Sequence, residues 1–376
     1  MKPSRINPMR LSVVAAMTGL LCAADANAAN GTWTNAPADS SWTNVLNWIG
    51  SVPGTINNTG NNGVDGSSIA TFTNPIPASL IGSASNPIIP DDGTIVNGKA
   101  RMLSQLNFDG ADCGAYVFST LSAFQPRTAT QPETGVISLC IPTTKLPNGS
   151  FIGASVATPQ VFLIPVQIRL PSSTTAAYGF TNNATSPNAT YYFDKMWLYP
   201  DATTRACTFL FAGSNTGTNT VAYLSESTNP SFSAACGVRK EGSGTWILSG
   251  ANTLKAATPF DIAQGTLVVK DPASLGASGN VNVSNAVLQI DGITPNQMSI
   301  NLRNGGNIRA NGTLSLNGVA VGNQTGTSAT LSTTSSGDVF TVGTGIAAGA
   351  FVTGGAVDSV LNTAGPGTLV FSQANT

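Results

Sequence analysis

The sequence predicts an all-β protein: a right-handed parallel β-helix-like stack with an irregular, disulfide-stapled β insert in its middle. Three observations lead there. Charged residues are only 9% of the 376, against roughly a quarter in an average soluble domain, so amphipathic helices would lack the Glu, Lys and Arg of their wet face. Gly reaches 40 residues, and Ser, Thr and Asn crowd the rest, which suits strands joined by tight corners. Short apolar segments also return at a steady interval in the final third.

Those segments are Thr245–Leu248, Thr266–Val269, Val287–Ile290, Ile308–Ala310 and Ala329–Leu331, whose starts lie 21 residues apart. That spacing fits one coil of a parallel β-helix, and coils laid about 4.8 Å apart would make six of them a rod segment of about 29 Å. Alternate residues such as Leu267 and Val269 are expected to face inward, while Gly and Asn take the corners that need positive φ. The segment Gly242–Thr253, GSGTWILSGANT, returns at Gly365–Thr376 as GPGTLVFSQANT, with seven of twelve positions identical. Asn252 and Asn375 hold matching places and are expected to stack or to bond corner backbone.

The chain divides into 1–28, 29–124, 125–236 and 237–376. The first part reads as a signal peptide: a basic start, an apolar stretch from Leu11 to Ala24, then Ala26-Asn27-Ala28 as a small-x-small cleavage site. That stretch is shorter than the roughly 20 residues that span a bilayer. The mature chain, expected to begin at Ala29, has no longer apolar run; its strongest, Val161 to Leu170, is broken by Pro165. Residues 29–124 form a Trp-rich segment and the first strands. Trp33, Trp42 and Trp48 suit either a glycan-stacking platform or, the favoured reading, a cap over the open end of a stack, where large rings cover apolar edges. Further on, Leu103–Phe108 alternates, Gly110 turns the chain, and Tyr116-Val117-Phe118 follows as a second strand.

Residues 125–236 are less regular, with apolar runs between Pro- and Asn-rich loops, and suggest an inserted β-sandwich or a widening of the stack. Once the leader is removed four cysteines remain, Cys113, Cys140, Cys207 and Cys236. An even number in an exported chain favours two disulfides; Cys113–Cys140 and Cys207–Cys236 close the shortest loops. No Cys-x-x-Cys pair suggests zinc.

GVRKEGSGTWILSGANT at Gly237–Thr253, GTLVV at Gly265–Val269 and SLGASGNVNV at Ser274–Val283 resemble the autotransporter-associated β-strand repeat of large exported bacterial proteins. Asn47-Trp48, Pro53 and Thr71–Thr73 are similar to the leading segment common in such proteins. The resemblance implies a parallel β-helical passenger displayed outside the cell. Thr376 falls inside what resembles the opening of another repeat, so a piece of a longer protein is expected.

Chemistry is sparsely signalled. Histidine is absent, which removes His-dependent triads and His-ligated zinc. Removing Lys2, Arg5, Arg10 and Asp25 with the leader leaves 13 basic and 16 acidic residues and no basic run, so a nucleic-acid binder is excluded. Carboxylate chemistry would have to use Asp91-Asp92, Asp109 with Asp112, or Arg239-Lys240-Glu241, each of which also reads as a turn or as part of the repeat. Gly63-Val64-Asp65-Gly66 falls short of a repeated calcium nonapeptide. The expectation is a non-catalytic exported protein, structural or adhesive, on the cell surface, outer membrane or outside the cell. It has no cofactor, metal or transmembrane segment, and its partners are surface glycans or neighbouring surface proteins. The alternative is a carbohydrate-binding module or a polysaccharide-active β-helix enzyme.

Overall fold

The computed structural model describes residues 30–56, 68–90, 101–121, 136–140, 149–169, 176–199, 207–226, 236–255, 258–276, 280–293, 300–316, 319–321, 328–343, 352–354 and 360–372. Within them a single 3-10 turn, Val45–Asn47, interrupts an all-strand chain. The strands lie in long sheets that the chain visits in rotation. Sheet 1 has thirteen strands, running from Trp48–Gly50 through Gly149–Ile152 and Gly237–Lys240 to Val352–Gly354. Sheet 2 has ten, from Val117–Phe118 to Val360–Ala364. A third face carries six strands up to Leu224–Glu226 and, after a gap, three more: Thr313–Leu316, Val339–Val342 and Thr368–Phe371. Sheet 2 is parallel throughout, as is sheet 1 apart from its first pair. The chain is therefore a parallel β-helix.

Coil length sets what fills the core. Gly149 lies opposite Gly179, Ala176 opposite Cys207 and Thr208 opposite Gly237, so each of these coils is long. They enclose a wide interior, and aromatic side chains occupy it. In sheet 2, Phe118, Phe162 and Phe193 stack in successive coils with ring centroids 4.8 Å apart and planes within 16°, the strand spacing expressed in rings. Between Val238 and Val321 the coils lose about a third of that length: Val238 faces Phe260, Pro259 faces Asn280 and Val281 faces Ile300; the last described coil is long again, with Val319 facing Val352 and Ser328 facing Val360. The inward row that holds the rings continues as Val221, Leu248, Val269, Ile290 and Ala310, aliphatic throughout, while Trp246 and Phe260 are buried in neighbouring rows.

The middle of the chain is thus a wider stretch of the same stack. Strands Ile137–Cys140, Val166–Arg169 and Met196–Tyr199 form part of the third face, in parallel register with one another. Gln167, Trp197 and Ser225, which alternate there with the inward residues, are themselves buried. This sheet is covered on both sides at these positions, so burial there does not follow the alternation of apolar and polar residues in Val166-Gln167-Ile168-Arg169. The expected Cys113–Cys140 staple does not form: Cys113 is a free thiol shut in the core.

Register in the narrow section departs from the strictly even spacing of the apolar segments. Thr266 does face Val287, but Val287 faces Asn307 and Asn307 faces Thr330. Even spacing would lay outward Val287 over inward Ile308, and a one-residue slip turns every side chain to the other face of a strand. Leu288, Ile308 and Leu331 are all fully buried in one row instead.

Corners explain the repeated segment. Gly242 has φ +69°, and a Cβ there would lie 2.5 Å from the carbonyl oxygen of Gly213 one coil earlier. Gly365 in the second copy, at φ +93°, is pressed in the same way against the Thr333 oxygen. The first copy turns into sheet 2 at Thr245–Leu248, whereas the second turns onto the third face at Thr368–Phe371. The repeat therefore encodes a corner and a strand, independent of which face the strand joins. Asn252 performs as expected: its Oδ1 accepts the Leu224 N–H at 2.7 Å and its Nδ2 donates to the Ser274 oxygen, tying three coils. Asn375 and residues 1–28 lie outside the described residues.

Phe162→Ala should cost about 3–5 kcal/mol of unfolding free energy, read by urea denaturation. Gly242→Ala should also destabilise, since the added carbon meets a backbone oxygen that cannot move away. A wild-type midpoint in both variants would contradict the stacked core and the corner contact.

Candidate functional surface

Two buried charges sit where the coil narrows. Glu226 ends the last wide-section strand of the third face; its Oε1 accepts the Cys236 N–H at 2.6 Å. Its Oε2 accepts the Lys255 N–H at 2.6 Å and the Thr258 hydroxyl at 2.8 Å. Lys240 occupies an inward position of sheet 1, between Phe211 and Ile262. Its Nζ turns into the corner and donates to the carbonyl oxygens of Glu241 (2.7 Å), Gly242 (2.7 Å) and Gln264 (3.0 Å). Burial pushes this ammonium down to about 8, against the pull of the Glu241 carboxylate. Both charges are met by groups of the corner backbone and Thr258, so they hold the change in cross-section.

Outward side chains on the narrow coils bond to one another from coil to coil. Asp261 accepts from Asn282, and Asn301 donates to Asn280 and Asn282. On sheet 2, Arg309 donates to Gln289, Asn311 donates to Asp291, and Lys270 approaches Asp291 at 3.7 Å. These ladders match the strand spacing and stabilise neighbouring coils modestly.

The Trp residues form the cap and no platform. Trp33 and Trp42 are 0% exposed and Trp48 6%, with Trp33–Trp48 and Trp42–Trp48 centroids 5.0 and 4.7 Å apart. Trp42 donates its indole N–H to the Pro53 oxygen at 2.8 Å, and Trp48 donates to the Trp42 oxygen at 2.7 Å. The strand Trp48–Gly50 runs antiparallel to Gly31–Trp33. The rings close the core over Phe72 and Phe118, so no ring face is free for a sugar.

The other sequence candidates do not converge. Burial pushes the Cys113 thiol up to about 12, which leaves it inert as a nucleophile. Cys236 is buried and disulfide-bonded; the side chains of Cys140 and Cys207 lie outside the described residues. Arg239 pairs with Glu241 on the outside while Lys240 points into the core, so that triplet is divided. Asp109 accepts the N–H of Gly110 beside it and serves the turn; Asp112 is exposed. Asp91-Asp92 and Gly63–Gly66 lie outside the described residues. Among the described residues no three His, Cys, Asp or Glu side chains gather as a metal set.

Sequence reasoning passed over Glu226, the buried trio Asn182, Asn215 and Asn219, and Asp338. Asn219 accepts from Asn182 at 2.6 Å and donates to Asn215 at 3.2 Å, lining a corner with side-chain amides. Asp338 accepts from the Thr334 hydroxyl (2.7 Å) and the N–H groups of Ser335 (2.6 Å), Gly312 (2.8 Å) and Thr334 (2.8 Å). The Thr334 and Ser335 bonds above all hold its carboxyl at about 2, against an ordinary 3.8. The only signal for it was local, an acid three and four residues after Ser335 and Thr334.

Asp338 is held below its unfolded value, so its contribution is present above about pH 4 and is lost as pH falls toward 2. Asp338→Asn should lower the melting temperature at neutral pH, with the gap to wild type closing across that acid window; a gap independent of pH would contradict the clamp. Lys240→Ala leaves three corner carbonyls without their donor and should cost about 1–3 kcal/mol, read by chemical denaturation. In the native protein Cys113 should resist alkylation until denaturant is added, and a non-reducing peptide map should join Cys236 to Cys207, because Thr208 and Gly237 are register partners. Labelling of native Cys113 or a Cys236–Cys113 link would contradict this. No protein-family model, curated protein or solved structure matches the chain.

Proposed function

We propose that this protein is an exported, non-catalytic surface rod, structural or adhesive, of the autotransporter-associated repeat type. The observation that supports the reading best is the use of its polar side chains. Glu226, Lys240 and Asp338 are each taken up by corner groups, and Asp261, Asp291 and Arg309 bond to neighbours in the ladders. A catalytic cleft needs such groups aimed at a common space; a rod needs them spread along its length. The repeat resemblance and the leader-like segment 1–28 favour export, and the low charge of 9% suits a solid stack of coils.

Expression of the full chain with an epitope in a Gram-negative host tests this. The mature N-terminus should be Ala29, and the epitope should be removed from intact cells by added protease. A cytosolic product that keeps Met1 would overturn the export reading, and turnover of a polysaccharide would overturn the non-catalytic one.

A further inference from the structure

Seven Asn-Gly pairs occur in the sequence, and three lie wholly within the described residues: Asn30-Gly31, Asn304-Gly305 and Asn311-Gly312. An asparagine followed by glycine is open to attack on its own side-chain amide, because glycine has no Cβ to obstruct its backbone nitrogen. Whether the attack occurs depends on how the fold holds the side chain. Asn30 is held by its Oδ1, which accepts the Ile69 N–H at 3.0 Å. Asn311 is held from both sides: its Nδ2 donates to Asp291 at 3.0 Å, and its Oδ1 accepts the Thr334 hydroxyl at 2.9 Å. The nitrogen that would attack it, that of Gly312, donates to the Asp338 carboxylate at 2.8 Å, whose negative charge opposes loss of the proton. Asn304 is exposed, and its side chain has no hydrogen-bond partner among the described residues.

Asn304 stands at the corner between the sheet 1 strand Ile300–Leu302 and the sheet 2 strand Gly306–Asn311. The Gly306 N–H closes the turn on the Arg303 oxygen at 2.7 Å. The main chain of this corner is tied to a coil on either side: the Asn304 oxygen accepts the Asn285 N–H at 2.8 Å, and the Gly305 N–H donates to the Ser328 oxygen at 2.7 Å. Unlike the carboxylate beside Gly312, the Ser328 acceptor is a neutral carbonyl, and it is released whenever the exposed turn opens locally. Backbone also lies on backbone here, since a Cβ on Gly306 would fall 2.2 Å from the Val283 oxygen.

We propose that Asn304 is a site of spontaneous deamidation, which the fold directs to this one of the three pairs. The Gly305 nitrogen bonds to the Asn304 Cγ, the Cγ–Nδ2 bond breaks, and ammonia leaves carrying the Gly305 N–H proton, so that a cyclic imide remains. Water then opens one or the other imide carbonyl and returns isoaspartate or aspartate. Both products put a negative charge on the corner beside Arg303. Isoaspartate also adds one carbon to the main chain, where the contact at Gly306 leaves no room, so the bonds to Asn285 and Ser328 cannot both be kept and the coil is held less firmly. The proposal is independent of export and of the surface-rod reading.

Peptide mapping of the folded 376-residue chain, aged at mildly alkaline pH and digested under mildly acidic conditions, tests it, with isoaspartyl methyltransferase labelling to mark the iso product. Asn304 should turn from amide to acid well ahead of Asn30 and Asn311, and faster as pH rises. In denaturant the three should convert at similar rates, since each precedes glycine. The melting temperature of aged wild type should fall by more than that of Asn304→Gln aged alongside it, the longer side chain being unable to close the same ring. Asn304 that stays intact in the folded chain but converts in denaturant would overturn the proposal, because the corner would then protect it. So would equal conversion of the three in the folded chain, or the same lead of Asn304 in denaturant.

Discussion

Each coil of this protein is fastened to the one before it by parallel main-chain hydrogen bonds, and the two-residue alternation of a strand then decides everything stacked above. An inward residue must lie over an inward residue. The row Trp246, Leu267, Leu288, Ile308 and Leu331 obeys this although the steps from one member to the next are unequal. Length is absorbed at corners, where Gly242 and Gly265 let backbone lie directly on backbone. The alternation holds and the spacing gives way.

Cross-section follows from coil length, and side-chain size follows from cross-section. Phe and Tyr dominate the long coils and Val, Ile and Leu the short ones, where Phe260 is also buried, with Tyr191 stacked on Trp246 at 5.9 Å across the change. Narrowing strands a sheet edge and turns a corner inside the core, and each needs polar groups. Glu226 answers N–H groups at the first and Lys240 answers carbonyls at the second. Isolated charges could not persist there; fully bonded ones fix where the change occurs.

The narrow section was legible from sequence because its coils are short and its sheet faces alternate, as in Leu267 and Val269 or Leu288 and Ile290. The Trp cap was legible from the clustering of three large rings near the start. The wide section was not, for two reasons: its long period is filled by loops of varied length, and its third face buries Gln167 and Trp197 as well as the inward residues, so alternation in the sequence does not mark an exposed side. Cys113 misled because an even cysteine count says nothing of depth. Glu226 and Lys240 were invisible as partners of backbone groups, since spacing carries no record of which carbonyl or N–H a side chain will meet.

Together these features describe a stack with one end sealed by rings and polar groups committed to holding coils together. The claim beneath all of it is that the middle section belongs to the same parallel stack. Cysteines placed at outward Thr181 and Ala212, which are register partners in sheet 1, measure this directly, because in-register neighbours fall within disulfide reach. Mild oxidation should close an intrachain 181–212 bridge almost completely without lowering the melting temperature. Failure to close it while the protein remains folded would contradict the continuous stack.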